Sequence, residues 1–274
     1  MPTAARHSLH IACHAQDSAL LVQLLATATP AAIDKKLTDY QLPYHGTPLH
    51  IASRMGDLGL VQPLIAAGAD LEIKDVARQS ALSLAAGLGH QDVVQALLDA
   101  GADPHSKGPN GLQPIHFACT GGHPRIIALL LAHGVDVNLR DSLKSGLLSF
   151  TTNLEGGHLE AAQMLVAQGI DPIQYTQALH DACWRGNTRI AAYLLELGAD
   201  VQSLIKPKSE LLFWVCLMGH EQIIDLLLAH GADFSVAVKF KGKMMAYDGS
   251  PLDKAAEAGH TALAERLCAR AIQL

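Results

Sequence analysis

GTPLHIASRMGDLGLVQPLIAAGAD, residues Gly46 to Asp70, gives the rest of the chain its frame. Thirty-three residues on, Gln79 to Asp103 reads QSALSLAAGLGHQDVVQALLDAGAD, and after the same step Leu112 to Asp136 reads LQPIHFACTGGHPRIIALLLAHGVD. Glycines at 56, 89 and 122, and again at 68, 101 and 134, keep the phase. The pattern continues with slips through Gly157 and Gly169, Gly186 and Gly198, Gly219 and Gly231, and ends at Gly259. A period of this length is the mark of a repeat architecture and takes precedence over local readings.

Each copy reads as two short helices. Thr47-Pro48 opens the first, with proline tolerated in the first turn because its missing donor has no intrahelical partner there. Leu49, Ile51, Ala52 and Met55 fit a helix stopped by Gly56, and Leu60, Val61, Leu64 and Ile65 fit a second stopped by Gly68. An extended polar segment follows. One such pair cannot bury its own apolar face, so the pairs must stack into a solenoid.

TPLHIASRMGDLGLVQPLIAAGADLEIKD resembles an ankyrin repeat, as do the copies at Gln79 and Gln113. The resemblance rests on the threonine-proline-leucine-histidine opening, the mid-repeat glycine, the Gly-Ala-Asp ending and the period. It covers about His7 to Leu267. It implies an all-α ankyrin-repeat solenoid of about eight stacked helix-turn-helix repeats with finger loops. The copies start near 7, 47, 80, 113, 148, 177, 210 and 250, in one elongated monomeric domain spanning 1–274.

The departures carry information. The first copy has Gln16 for the turn glycine and Ala28-Thr29-Pro30 for Gly-Ala-Asp, as an N-terminal cap would. The last puts Glu265, Arg266, Arg270 and Gln273 on its second helix, as a terminal repeat with a wet outer face should. Unequal spacing predicts a long finger at Leu37 to His45, a stub at Pro172 to Thr176 and a long finger from Ser235 to Asp248. Pro63 predicts a kink in its helix. In the seventh copy, LLFWVCLM (Leu211 to Met218) replaces a half-polar helix; a membrane span needs roughly 20 apolar residues, and Gly219 ends the run too early.

The chain is 49% hydrophobic but only 4% aromatic, which suits closely stacked helices of small residues. A formal net charge of -6 argues against nucleic acid, whose binding rests on concentrated Lys and Arg. Lys239, Lys241 and Lys243 read as a solvated hairpin. Cys13, Cys119, Cys183 and Cys216 share one repeat address and read as reduced, buried fillers. SALLVQLLATATPAA has the outline of a signal-peptide core, but Asp17 and Gln23 interrupt it and it doubles as a repeat helix. A cytoplasmic protein is expected, with delivery into another cell left open.

Two constellations imitate chemistry. His7, His10, Cys13 and His14 have ligand-like spacing, yet His10 is the repeat histidine, with His50, His116 and His180. Cys183, His180 and Asp181 could be a nucleophile, a base and an orienter, yet ALHDAC aligns with PIHFAC. No phosphate-cradling Gly-x-x-x-x-Gly-Lys occurs, and the repeats leave no room for a catalytic domain. No enzyme activity, metal, cofactor or disulfide is expected.

The resemblance implies that a partner protein lies along the concave side, against fingers and the two residues before each turn glycine. Those positions are Arg54 and Met55, Gly87 and Leu88, Thr120 and Gly121, Glu155 and Gly156, Trp184 and Arg185, Leu217 and Met218, Glu257 and Ala258. Copies six and seven stand out: Trp184, Arg185, Leu217 and Met218, with Tyr175 and Tyr247 on neighbouring fingers, are of the types that dominate interface energies. Leu211, Leu212 and Val215 are expected in the core, as is Trp214. The expected function is a scaffold or adaptor; the alternatives are an inhibitor or immunity-type protein blocking an enzyme, and an effector acting on another cell's protein. LLAHGVDVN, Leu130 to Asn138, also fits the form that asparagine hydroxylases modify in ankyrin proteins, in residues that are ordinary repeat consensus.

Overall fold

The computed structural model describes residues 8–36, 46–152, 157–204, 210–232, 238–241, 246–249 and 251–265; at 8, 238–241, 246–249 and 252 it describes backbone only. Helices follow one another in pairs. They are α1 (Ser8–His14) and α2 (Ser18–Leu25), a short α3 (Pro30–Ile33), α4 (Pro48–Met55) and α5 (Leu58–Ala66), α6 (Ala81–Leu88) and α7 (Gln91–Asp99). Then come α8 (Pro114–Gly121) and α9 (Pro124–Ala132), α10 (Leu147–Phe150) and α11 (Leu159–Ala167), α12 (Ile173–Trp184) and α13 (Thr188–Glu196). The series ends with α14 (Leu211–Met218) and α15 (Glu221–Ala229), and α16 (Pro251–Glu257) followed by a helical turn at 261–265.

The first helices form one row, α1, α4, α6, α8, α10, α12, α14 and α16, each packed on the next, and the second helices from α2 to α15 form a parallel row. A continuous buried cluster from Leu9 to Ala264 fills the space between them. The all-helical repeat class holds, with one hairpin added: β1 (Val238–Lys241) pairs antiparallel with β2 (Ala246–Gly249) inside the long finger expected there. The finger at Leu37 to His45 lies outside the described residues. α5 runs as one helix through Pro63.

Repeat address explains much of the local chemistry. The Thr47 backbone N–H donates to His50 Nδ1 (3.2 Å), and His50 Nε2 reaches the Gln79 carbonyl (3.1 Å), so one imidazole caps its own helix and fastens the next copy's entry. The Asp of the Gly-Ala-Asp ending folds its side chain onto the N–H two residues on, as Asp70 does to Glu72 (2.9 Å) and Asp136 to Asn138 (2.8 Å). Its own N–H is taken by the preceding copy: Asp103 donates to Glu72 Oε1 (2.8 Å) and Asp171 to Asn138 Oδ1 (2.7 Å).

The turn glycines have two reasons to be glycine. Gly56, Gly89 and Gly219 are left-handed, at φ 71°, 84° and 68°. Each also lies under the histidine that follows the turn in the next copy. A Cβ on Gly56 would sit 2.3 Å from His90 Nδ1, and one on Gly89 2.5 Å from His123 Cε1. The same imidazoles reach back to carbonyls two residues before the glycine, His90 to Arg54 (2.9 Å) and His123 to Gly87 (3.2 Å). Glycine and histidine form a joint between copies.

The stub finger at Pro172 to Thr176 is corrected. With only 29 residues between the starts of the fifth and sixth copies, the connection coils into the first turns of α12, making it the longest described helix at 12 residues.

Candidate functional site

The surface expected to meet a partner lies where α12 ends beside α14. Trp184, the last residue of α12, is 41% exposed. Its indole meets that of Trp214 edge-on, ring centroids 5.2 Å apart at 62°. Trp214 in turn stands edge-on to Phe213, 5.3 Å away at 87°. Met218 lies one helical turn beyond Trp214, on the same face, and is 54% exposed. Edge-to-face aromatic contacts of this kind add to what area burial alone gives.

α14 is apolar all round, and its partners decide which side chains sink. Leu211, Leu212, Val215 and Cys216 fill the core as expected. Phe213 is fully buried, with Trp214 and Leu217 packed against it and the Lys254 ammonium 5.5 Å from its ring centroid. Trp214 is therefore not core: it is half-buried, and its Nε1–H points to Glu210 Oε2 at 3.4 Å.

The expected site residues separate. Trp184, Leu217 and Met218 belong to this surface, with Leu217 partly covered. Arg185 turns away from it, donating to Thr152 Oγ1 of the fifth copy (3.1 Å) and towards the Asp181 carbonyl (3.5 Å). Tyr175 is a correction. Because its segment is helical, it falls in line with Ala178, Leu179 and Ala182 on the buried face of α12 and is only 9% exposed. Tyr247 lies on β2 opposite Phe240, with its side chain outside the described residues, as are Glu155 and Gly156. Arg54 and Met55 are half-buried at the far end of the row, with Met55 packed on the core and the Arg54 carbonyl held by His90.

Of the two imitators of chemistry, the Cys183, His180 and Asp181 set resolves on geometry, while His7 of the other lies outside the described residues. Burial pushes the Cys183 and Cys216 thiols up to about 12, and that of Cys13 likewise with a contribution from Asp57; Cys119 is also raised by burial. A thiol held protonated is a poor nucleophile. His180 and Asp181 approach to 3.6 Å on a half-exposed helix face, with Cys183 sealed in the core beneath. Among the described residues no three His, Cys, Asp or Glu side chains converge as metal ligands, and no helix is long and apolar enough to cross a membrane. All four described cysteines are free.

A family model of ankyrin repeats matches residues 49–141, 82–176 and 179–274. No curated protein matches the chain.

Proposed function

Because the chain belongs to the ankyrin-repeat family, whose repeats are generally protein-interaction modules, we propose that it is a non-enzymatic scaffold or adaptor that recognises a partner protein through the Trp184, Trp214 and Met218 surface. The observation that carries this reading is the exposure of Trp184 and Met218 above a rigid aromatic base. A large, preorganised apolar surface can be desolvated at once by a partner, and Trp is prominent among residues that carry binding energy. A reducing compartment suits the four buried thiols, and the proposal places the protein in a cytoplasm.

A second reading, an inhibitor that blocks a partner enzyme, draws on the paired hairpin of β1 and β2. Affinity capture from native lysate with mass spectrometry separates the two: several non-enzymatic partners favour the scaffold, and one abundant enzyme losing activity favours inhibition. Trp184→Ala is expected to weaken the captured partner's binding by about 2 kcal/mol or more while the thermal midpoint stays nearly unchanged. Binding that falls only in proportion to lost folded protein would make Trp184 a packing residue and remove this surface.

A further inference from the structure

We propose that the fingers of the second, third and fourth copies carry a cationic stripe that binds an extended acidic protein segment running along the stack. Lys74, Lys107 and Arg140 occupy one repeat address, each thirty-three residues from the last. The stack sets them side by side. Lys74 Nζ donates to the Lys107 carbonyl, and Ser142 donates from both its N–H (3.1 Å) and its Oγ (2.6 Å) to the Asn110 carbonyl of the preceding finger. The fingers are thus bonded to one another and fix the spacing of the charges.

Arg78 and Lys144 extend the stripe. They share an address with Gly111 and hold the same left-handed backbone, at φ 62° and 66° against 75° for the glycine. Both side chains are exposed, as are Lys107 and Arg140. The carboxylates inside these fingers are held by backbone N–H groups: Asp75 accepts from Gln79 (2.8 Å), Asp141 from Leu143 and Ser145 (2.9 and 2.8 Å), and exposed Glu72 from Asp103 of the next copy (2.8 Å). Among the described residues the ion pairs are His180–Asp181 and Lys254–Glu257, so no carboxylate pairs with a cation of the stripe. A positive stripe in a chain of net charge -6 is a matter of placement, not composition.

The occupant follows from charge and spacing. Successive helix layers lie about 8–10 Å apart. A polyproline II segment returns to the same face every three residues, roughly 9 Å on, so an acidic side chain at every third position meets one cation per copy. Exposed Asp70, Asp103 and Asp136 stand four residues before each cation, at the foot of the same fingers. That flanking negative row bounds the strip on one side and favours a narrow chain that follows the cations over a broad polyanion.

This surface shares with the Trp184 reading only the premise that the chain binds protein, and its test is separate. The probe is a fluorescein-labelled peptide of repeated Glu-Pro-Pro units, followed by anisotropy against the whole chain. Saturable binding is expected that weakens about tenfold or more between about 20 mM and about 200 mM salt. The triple variant Lys74→Glu, Lys107→Glu, Arg140→Glu should abolish it with circular dichroism unchanged. The triple Gln variant at the same positions, which decides the matter if charge reversal disturbs folding, should weaken it about tenfold. Trp184→Ala should leave it intact. The proposal is overturned by the absence of saturable binding at low salt, by full retention in the Gln variant, by loss in Trp184→Ala, or by a single-stranded oligonucleotide of equal charge binding as tightly.

Discussion

The third and fourth copies solve the stacking problem differently from the sixth and seventh. Where α6 meets α8, the helices close until a Cβ on Gly121 would lie 2.3 Å from the Gly87 carbonyl oxygen, and a Cβ on Gly87 3.2 Å from the Phe117 Cβ. Where α12 meets α14, buried Phe213 and half-buried Trp214 fill the join with rings, and part-exposed Trp184 stands edge-on to Trp214. Gly121 and Met218 share one address, each directly before its turn glycine, yet one is a backbone contact and the other a side chain more than half exposed. Gly121 seals the stack, whereas Met218, like Leu88 at the same address of the third copy, leaves apolar surface for something else to cover.

The contrast breaks most readily at Gly121. Gly121→Ala drives a methyl into backbone oxygen and into His123 Nε2 at 2.6 Å, so neighbouring copies must shift. A loss of about 3 kcal/mol in urea denaturation is expected, the upper range for overpacking. Met218→Ala, at the matching place in the seventh copy, should cost under about 1 kcal/mol, because its side chain already lies largely in water. Equal costs at the two positions would mean that the two joins are packed alike.

Acid probes the tight stack by a second route. His116, in the tight stack, accepts the Gln113 N–H on Nδ1 (2.9 Å) and meets Phe150 edge-on at 4.9 Å. Burial lowers its pKa from 6.5 to about 4, against smaller raising effects of the Gln113 hydrogen bond and Asp141. The folded state therefore keeps His116 neutral while the unfolded chain protonates it. Its contribution is intact above pH 6.5 and is lost as the pH falls towards 4. Between pH 7 and 5 the loss should be about 2 kcal/mol, read from urea midpoints, and His116→Gln should flatten that part of the profile. A profile that His116→Gln does not change would place the acid sensitivity elsewhere.

The glycines, the helix pairs and most of the core were legible in the sequence because a repeat supplies its own alignment. What escaped depends on contacts between copies or on a featureless pattern. LLFWVCLM has no polar side to orient it, so nothing local says that Phe213 sinks and Trp214 stays half out. Tyr175 goes inward because a shortened connection becomes helix, which residue types alone do not announce. A linear scan finds Lys239, Lys241 and Lys243 at once, whereas Lys74, Lys107 and Arg140 become neighbours only in the stack. Gly56 and His90 likewise read as two separate periodic features until the fold lays one on the other.

That glycine and histidine joint recurs in both regions, from Gly89 under His123 to Gly219 under His260, so it does not distinguish tight from loose. It is absent at the fifth copy, where Asn187 stands in the histidine's place and Gly157 lies under Ile190, and at the first. There Gln16 takes the left-handed turn at φ 53°, and Asp57, not histidine, occupies the following copy's joint position, near enough to Cys13 to help raise its thiol pKa. With no imidazole overhead, a side chain fits at 16, but its Cβ still strains the left-handed backbone. Gln16→Gly should therefore stabilise the chain by about 1 kcal/mol at most, the only gain among these effects, because it relieves backbone strain without adding a contact between copies. The measurement is the urea midpoint. A loss instead of a gain would mean that the Gln16 side chain contributes more to the first join than its backbone costs, and that the chain seals this end by a third route.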